Sequence, residues 1–446
     1  MPNRLPLYFL IFALFALLAG ILFGLTASFQ YIVPELLKEY TPFSKLRPFH
    51  TTSVISWIIL GATGSIYFFM SKIERLQIAA PSLVWAHFII FLLTGVAIYI
   101  SYAFGFMKGR EYFAFAPVLI IPIILGWILF GFNFFRTLRK KVRNWPVYYW
   151  MWGTGIVFMI YHLMEAHLWF FDYFRSSFIK DMSVQWKSYG SFTGSWNMLV
   201  YGISIYVMSK IKKDSNVATS KIAFFFYFLG LSNLMFGWAH HTYFLPTQPW
   251  IRYLAYGVSM TEWVVLGSII YNWKRSLPKV DKLNHPMATK FMMSADFWIL
   301  LNLILALLFS IPAINFFTHG THVTVAHAMG TTIGINTTIL FSSLYFIVGN
   351  LNFSFPKAQW VTKRGLQLFN ISLFLFWCSI LAAGIKKSYW LYFTKQGLFS
   401  EMQEGLAVTY GAISFFGVAL VISIGMIALP LVKAFIKQIR TSEPDY

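Results

Sequence analysis

Apolar residues run through the chain in long blocks separated by short polar or basic connections. A membrane-spanning helix takes about 20 predominantly apolar residues, and blocks of that length recur from Leu5 to Leu431. They read as Phe/Ile/Leu/Trp runs without dyad alternation. That favours helices over a barrel, because backbone polar groups in lipid must be paired within each segment. The pattern predicts spans at 5–30, 49–72, 80–104, 114–135, 147–171, 190–210, 220–244, 250–273, 290–316, 322–349, 366–386 and 405–436, numbered 1 to 12 below. Residues 1–446 therefore read as a single all-α integral membrane domain of about twelve helices, with no internal repeat, low-complexity tract or soluble extramembrane domain. The stretch Leu5 to Phe29 is longer than a signal-peptide core and lacks a convincing cleavage site, so it reads as span 1.

Composition agrees: 58% of the residues are hydrophobic and 11% charged, against about 25% charged in soluble proteins. The net charge of +20 would suit a nucleic-acid partner, but the basic residues sit in connections rather than on an amphipathic face or a tail. Arg136, Arg139, Lys140, Lys141 and Arg143 follow span 4, Lys210, Lys212 and Lys213 follow span 6, and Lys274, Arg275 and Lys279 follow span 8. Lys72 and Arg75, Lys363 and Arg364, and Lys433, Lys437 and Arg440 fall on that same side. By the positive-inside rule this side is the cytoplasm, and both termini lie there. The long connection from about Asp172 to Tyr189 is then outside. The lone Cys378 lies in an apolar run, so neither a disulfide framework nor a CxxCH site for covalent haem is present.

With this topology His50 opens span 2, His162 and His167 come late in span 5, His240 and His241 close span 7, and His327 stands in the first turns of span 10. All of these lie in the outer half of the bilayer, on four helices. Ionisable side chains inside spans are expensive and usually functional, so the layout points to one metal-rich pocket. The ordinary reading of any single one is a hydrogen-bonded interior histidine, and His87 and His285 keep it. The adjacent pair His240 and His241 is different, since consecutive residues at a helix end reach one metal only where the helix unwinds, and Pro246 follows. His327 and Met329, two apart, point about 200° apart on an ideal helix. They cannot share one haem face, but they can serve two haems on opposite sides. For Met329 the competing reading is core filler.

At these residues the chain resembles the catalytic subunit of cytochrome c-dependent nitric oxide reductases, within the haem-copper oxidase superfamily. RPFHTT around His50 is similar to the segment that supplies the first axial ligand of the low-spin haem, with Arg47 placed like an arginine near the propionates. GREY, from Gly109 to Tyr112, recurs in that family. HHTYFLP resembles the pair that binds the non-haem metal, and THGTHVTVAHAMG resembles the helix 10 signature, with His327 as proximal ligand of the high-spin haem. Glu262, in SMTEW, falls where the family carries an acid implicated in proton delivery; the ordinary alternative is a satisfied interior carboxyl.

The chain departs from the family at two places. Where the family's second low-spin ligand is a histidine, this chain has Met329, which implies a His50/Met329 haem of raised potential. On span 6 the family's histidine and glutamate positions fall on Tyr189 and Thr193, with Asn197 one turn on where a further glutamate is expected. The non-haem site is either rebuilt or weakened. His162 and Glu165, three apart on one helical face, are candidates for rebuilding it, against a buried hydrogen-bonded pair or a proton relay.

The resemblance implies two haems b and one non-haem metal, iron being favoured and copper the alternative, because nitrogen and carboxylate donors suit iron while imidazoles alone suit copper. It implies reduction of two NO to N2O in a bacterial inner membrane, with Glu262, Glu165 and Tyr189 as catalytic candidates. Electrons would come from a membrane-anchored cytochrome c or a cupredoxin-type subunit, and no nucleic acid is involved. An NO dismutase-like enzyme, a terminal oxygen reductase of the same superfamily, and a degenerate haem protein for electron transfer or gas sensing stay open.

Overall fold

The computed structural model describes residues 4–139, 144–264, 267–268, 285–351, 356–394 and 397–441. Among them the regular secondary structure is all helix, with one isolated bridge, Arg110 to Phe113, in the connection after span 3. The described residues contain nine helices long and apolar enough to cross a membrane: Leu5–Phe29, Phe43–Ile73, Pro81–Ala103, Pro117–Leu138, Lys221–Thr242, Pro286–Ser310, His322–Asn350, Gln359–Thr394 and Ala407–Thr441. The other three expected spans overlap the helices Val147–Glu165, Phe178–Lys212 and Pro249–Met260, which are not among those nine. Lys140, Lys141, Arg143, Lys274, Arg275, Lys279 and the end of span 8 lie outside the described residues.

Many of these helices open on proline. Pro6, Pro81, Pro117, Pro249 and Pro286 occupy the first turn, where the missing N–H costs nothing and the fixed φ already suits the helix. One expected boundary moves substantially. Instead of a long outer connection from Asp172 to Tyr189, a short turn at Asp172–Arg175 leads directly into the helix Phe178–Lys212. Its first turns carry Lys180, Asp181, Gln185 and Lys187, so its apolar residues form a stripe rather than a run.

Polar side chains join the spans where lipid-like surroundings make each hydrogen bond matter. Trp57 Nε1 donates to Thr337 Oγ1 at 3.0 Å, Ser343 to Ser65 at 2.8 Å, and Asn336 Nδ2 to Asn197 Oδ1 at 3.1 Å. Together they tie spans 2 and 6 to span 10. Span 10 itself is irregular: the α-helix His322–Met329 passes into a widened π turn, Gly330–Thr337, before resuming over Thr338–Asn350. Such widened turns collect at functional sites, and this one begins directly after Met329.

Candidate metal centre

Span 7 is α-helical only to Phe236. From Gly237 to Thr242 it continues as a 3-10 turn that carries His240 and His241, which lets neighbouring residues face one region. Their ring centroids are 4.2 Å apart. Phe309, near the end of span 9, lies among them, 6.2 Å from the His240 ring, 6.3 Å from His241 and 6.3 Å from His327, to which it is nearly parallel. The structure thus gathers His240, His241 and His327 around one phenyl ring.

His319 joins them, although its place in the chain did not single it out. Its ring is 5.7 Å from His241 and 5.9 Å from Phe309. It closes the short helix Pro312–Thr318, and Gly320 follows at φ +76°, a left-handed conformation that glycine adopts without a Cβ clash. The chain thereby reverses so that Thr321 can cap span 10, its Oγ1 accepting from Val323 N at 3.2 Å. Burial holds the His319 imidazole down at about 4, so it is neutral at physiological pH. The sequence signal was present in the HGTH tetrapeptide, a histidine held against a turn glycine and a cap threonine.

Buried polar atoms nearly always find a partner. Yet among the described residues His240 Nδ1, His241 Nδ1, His319 Nε2 and His327 Nδ1 are buried without one. Four of the seven orphaned imidazole nitrogens among the described residues lie here, the others being on His87, His162 and His322, and that concentration fits a site for metal and haem iron. His50 fits a haem for another reason. Its Nδ1 lies 2.7 Å from the Gly20 carbonyl, which can only accept, so Nδ1 carries the proton and Nε2 keeps the lone pair. An outer hydrogen bond of this kind fixes the tautomer of a metal-binding histidine. Met329 is half-buried against the core two residues after His327.

The remaining candidates lie elsewhere. Tyr189 packs on Tyr112 and Phe113, at 5.1 and 5.8 Å, and Thr193 bonds back to the Tyr189 carbonyl. The span 6 residue that faces His241 is Trp186, stacked at 5.4 Å with 12° between the planes. His162 Nδ1 donates to Glu165 Oε2 at 2.8 Å, and the other Glu165 oxygen pairs with Lys187, so both carboxylate oxygens are engaged. The His162 ring neighbours are Phe158 and Tyr161 of its own span, while its Nε2 is buried and unpartnered. His167 keeps the ordinary reading, bonded through Nδ1 to the Leu163 carbonyl at 2.8 Å. His87 is fully buried among Phe9, Phe91 and Phe130, with Nδ1 3.4 Å from the Tyr67 hydroxyl and Nε2 without a partner. Glu262 follows the helix Pro249–Met260 and lies within electrostatic reach of Tyr201 on span 6.

The GREY loop ties neighbouring helix ends together. Glu111 accepts from Arg47 at 2.6 Å, and Arg110 reaches Asp181 at 2.5 Å while lying over the Trp169 ring. Burial, with the Glu111 charge beside it, pushes the Tyr112 phenol up to about 12, so this loop holds a neutral tyrosine against Tyr189.

Comparison with known proteins covers most of the chain. The chain is 21% identical to a nitric oxide reductase subunit of Stutzerimonas stutzeri over 84% of its own length and 82% of that protein. It is 22% identical to the CcoN1 subunit of the cbb3-type cytochrome c oxidase of the same organism, over 78% and 76% of the two chains. A haem-copper terminal oxidase solved as a dimer by cryo-EM superposes with a TM-score of 0.72, covering 97% of this chain and 84% of that one at 13% identity. Residues 4–420 match the family model described as cytochrome c and quinol oxidase polypeptide I, and the protein therefore belongs to that family, the haem-copper oxidase subunit I proteins.

Proposed function

We propose that this membrane oxidoreductase is a nitric oxide reductase-like catalytic subunit that reduces two NO, with two electrons and two protons, to N2O and water. The observation that carries the reading is the convergence of His240, His241 and His327 around Phe309, with orphaned buried nitrogens on all three. Its likeness in sequence to a nitric oxide reductase subunit over most of both chains supports the choice of substrate.

In this reading His327 holds a high-spin haem b, His50 and Met329 hold a low-spin haem b, and Arg47 stands by its propionates. His240 and His241 hold the non-haem metal, iron first and copper second. When bound, these groups supply electron relay and a pair of Lewis-acidic centres for two diatomics. The chain's own work is to fix that geometry. Gly20 sets the His50 tautomer, the 3-10 turn aims the histidine pair, and Phe309 fills the space between imidazoles with apolar surface that excludes water. Glu262 carries protons from the interior. Electrons arrive from a membrane-anchored cytochrome c or cupredoxin-type subunit outside, and both termini face the cytoplasm of a bacterial inner membrane.

One observation favours a second reading, oxygen reduction or NO dismutation by the same fold. Span 6 offers Trp186 to His241 and turns Tyr189 away, so no span 6 carboxylate joins the pair in the described contacts. Purified protein incubated anaerobically with reductant and NO separates the two. N2O at one molecule per two NO supports the reductase, whereas O2 evolution from NO, or no NO turnover there together with O2 uptake in a parallel aerobic incubation, overturns it.

A further inference from the structure

Span 10 leaves its α register directly after Met329, and span 9 is shaped to meet it there. Gly330 and Gly334 lie in the widened turn, four residues apart and so on one side of the helix. A Cβ on Gly330 would come within 2.3 Å of the Asn302 side-chain amide, and one on Gly334 within 2.7 Å of the Trp298 indole. Asn302 and Trp298 are themselves four apart on span 9. Two glycines of one helix thus receive two side chains of the other, the small-residue pairing that lets membrane helices approach closely. Trp298 is held from its other side, its Nε1 donating to Asn370 Oδ1 of span 11 at 3.3 Å.

Asn302 does more than fill the gap. It is buried, at 2% exposure. With its amide turned to pair both ends, the nitrogen donates to the main-chain carbonyl of His327 at 3.2 Å. The oxygen then accepts from Thr331 Oγ1 at 2.7 Å and Thr331 N at 3.3 Å. In the opposite orientation the amide donates to Thr331 Oγ1 at 2.7 Å, and that hydroxyl donates to the His327 carbonyl at 3.1 Å. Asn302 therefore reaches His327 in either case, directly or through one hydroxyl. The carbonyl it holds stands where the helix changes from α to π bonding, a change that disturbs the hydrogen-bond ladder, and an unpaired carbonyl inside a membrane is costly.

We infer that Asn302 is a positioning residue for His327. With Thr331 as its second arm, it fixes the main chain from which the imidazole assigned to the high-spin haem projects. The inference rests on the reading of His327 given above. Displacing that peptide carries the imidazole with it, away from Phe309, which lies nearly parallel to the ring at 6.3 Å.

The test uses the whole haem-loaded protein and two substitutions. Asn302→Leu keeps the bulk and removes the amide's hydrogen bonds, and Thr331→Val keeps the branched shape and removes the hydroxyl. The readout is the iron–imidazole stretching band of the reduced high-spin haem in resonance Raman spectra, which reports on that one ligand rather than on global stability. The expected result is two haems in every variant and a shifted band in each single variant. In the double variant the shift should be smaller than the sum of the two, because both groups act through one carbonyl. A lowered melting temperature with an unmoved band in both single variants assigns Asn302 to packing alone and overturns the inference, as do shifts that simply add. Should Asn302→Leu lose haem, Thr331→Val decides: a shifted band with both haems kept supports the assignment, and an unmoved band, or haem loss there too, overturns it. A parent protein without an iron–imidazole band, or one that keeps the band in His327→Gly, overturns the reading of His327 itself and the inference with it; an unmoved band beside an intact parent signal overturns the inference alone.

Discussion

The side-chain amide of Asn315 donates to the main-chain carbonyl of His240 across two different spans, at 3.1 Å, and shares its second hydrogen with Phe309. Asn315 is almost wholly buried, at 1% exposure; its bond to Phe309 is buried and its bond to His240 part-buried. Asn315→Ala would leave both unpaired, at about 1–3 kcal/mol for each. We expect a lower melting temperature and faster loss of non-haem metal to a chelator, with the low-spin haem spectrum unchanged. Equal chelation rates would show that the clamp does not position the pair.

His50 is held between the Gly20 carbonyl and the open flank of Gly24. A methyl at position 24 would sit 2.7 Å from His50 Nδ1, too near for both to keep their places. Gly24→Ala should push the ring off its hydrogen bond and drop the haem content from two per chain toward one, read by pyridine haemochrome. Retention of both haems with an unaltered low-spin spectrum would count against His50 as an axial ligand.

His162 and Glu165 are buried, Lys187 is 28% exposed, and the charges of the three are already matched. Removing one partner of a fully buried pair costs roughly 3–5 kcal/mol because the remaining charge is stranded, and the partly exposed Lys187 brings the cost here below that. Glu165→Gln should therefore lower thermal stability markedly while leaving non-haem metal content unchanged. Loss of the metal without loss of stability would instead return Glu165 to the metal centre.

How much of this was legible in the sequence varies with the physics of each feature. Span positions follow from hydropathy, so most apolar blocks became helices. Span 6 began earlier than expected because Lys180, Asp181, Gln185 and Lys187 lie on an amphipathic turn that a hydropathy run ends at. The His240, His241 pair was readable because adjacent histidines at a helix end demand an unwound backbone, and the 3-10 turn at Gly237–Thr242 provides one. His319 left only the local HGTH signal, and Trp186 left none. His319 reaches the site through the Gly320 turn and the Asn315 bonds, and Trp186 through the helical phase of span 6 against span 7. Neither relation is local in the chain. The Lys187 bond to Glu165 is of the same kind, joining residues 22 apart.

Arg47 and Glu111 form a 2.6 Å pair whose side chains are 57% and 39% exposed, and such surface pairs contribute about 0–1 kcal/mol. Arg47→Gln should hardly change the melting temperature. If the guanidinium stands by the haem propionates, removing its positive charge favours the oxidised iron. The low-spin midpoint potential should then fall by on the order of tens of millivolts. A redox titration that finds no shift would leave Arg47 with the loop contact alone.

Met329 carries the sharpest prediction, because a thioether and an imidazole differ in what they do to haem iron. His/Met ligation raises the reduction potential relative to two imidazoles. Met329 stands where span 10 passes into its π turn, and Thr337 at the far end of that turn accepts from Trp57 of span 2. The backbone on which Met329 sits is thus anchored to the helix that carries His50. Met329→His supplies a stronger donor from the same backbone position, so the low-spin haem should remain bound. Its potential should drop by on the order of 100 mV or more, and electron delivery to the inner site should change in rate without change in metal content. Met329→Leu should instead leave that iron five-coordinate and convert its spectrum toward high spin. A parent protein that already shows a bis-histidine low-spin spectrum, or a Leu variant indistinguishable from it, would make Met329 a core side chain and send the search for the second ligand elsewhere.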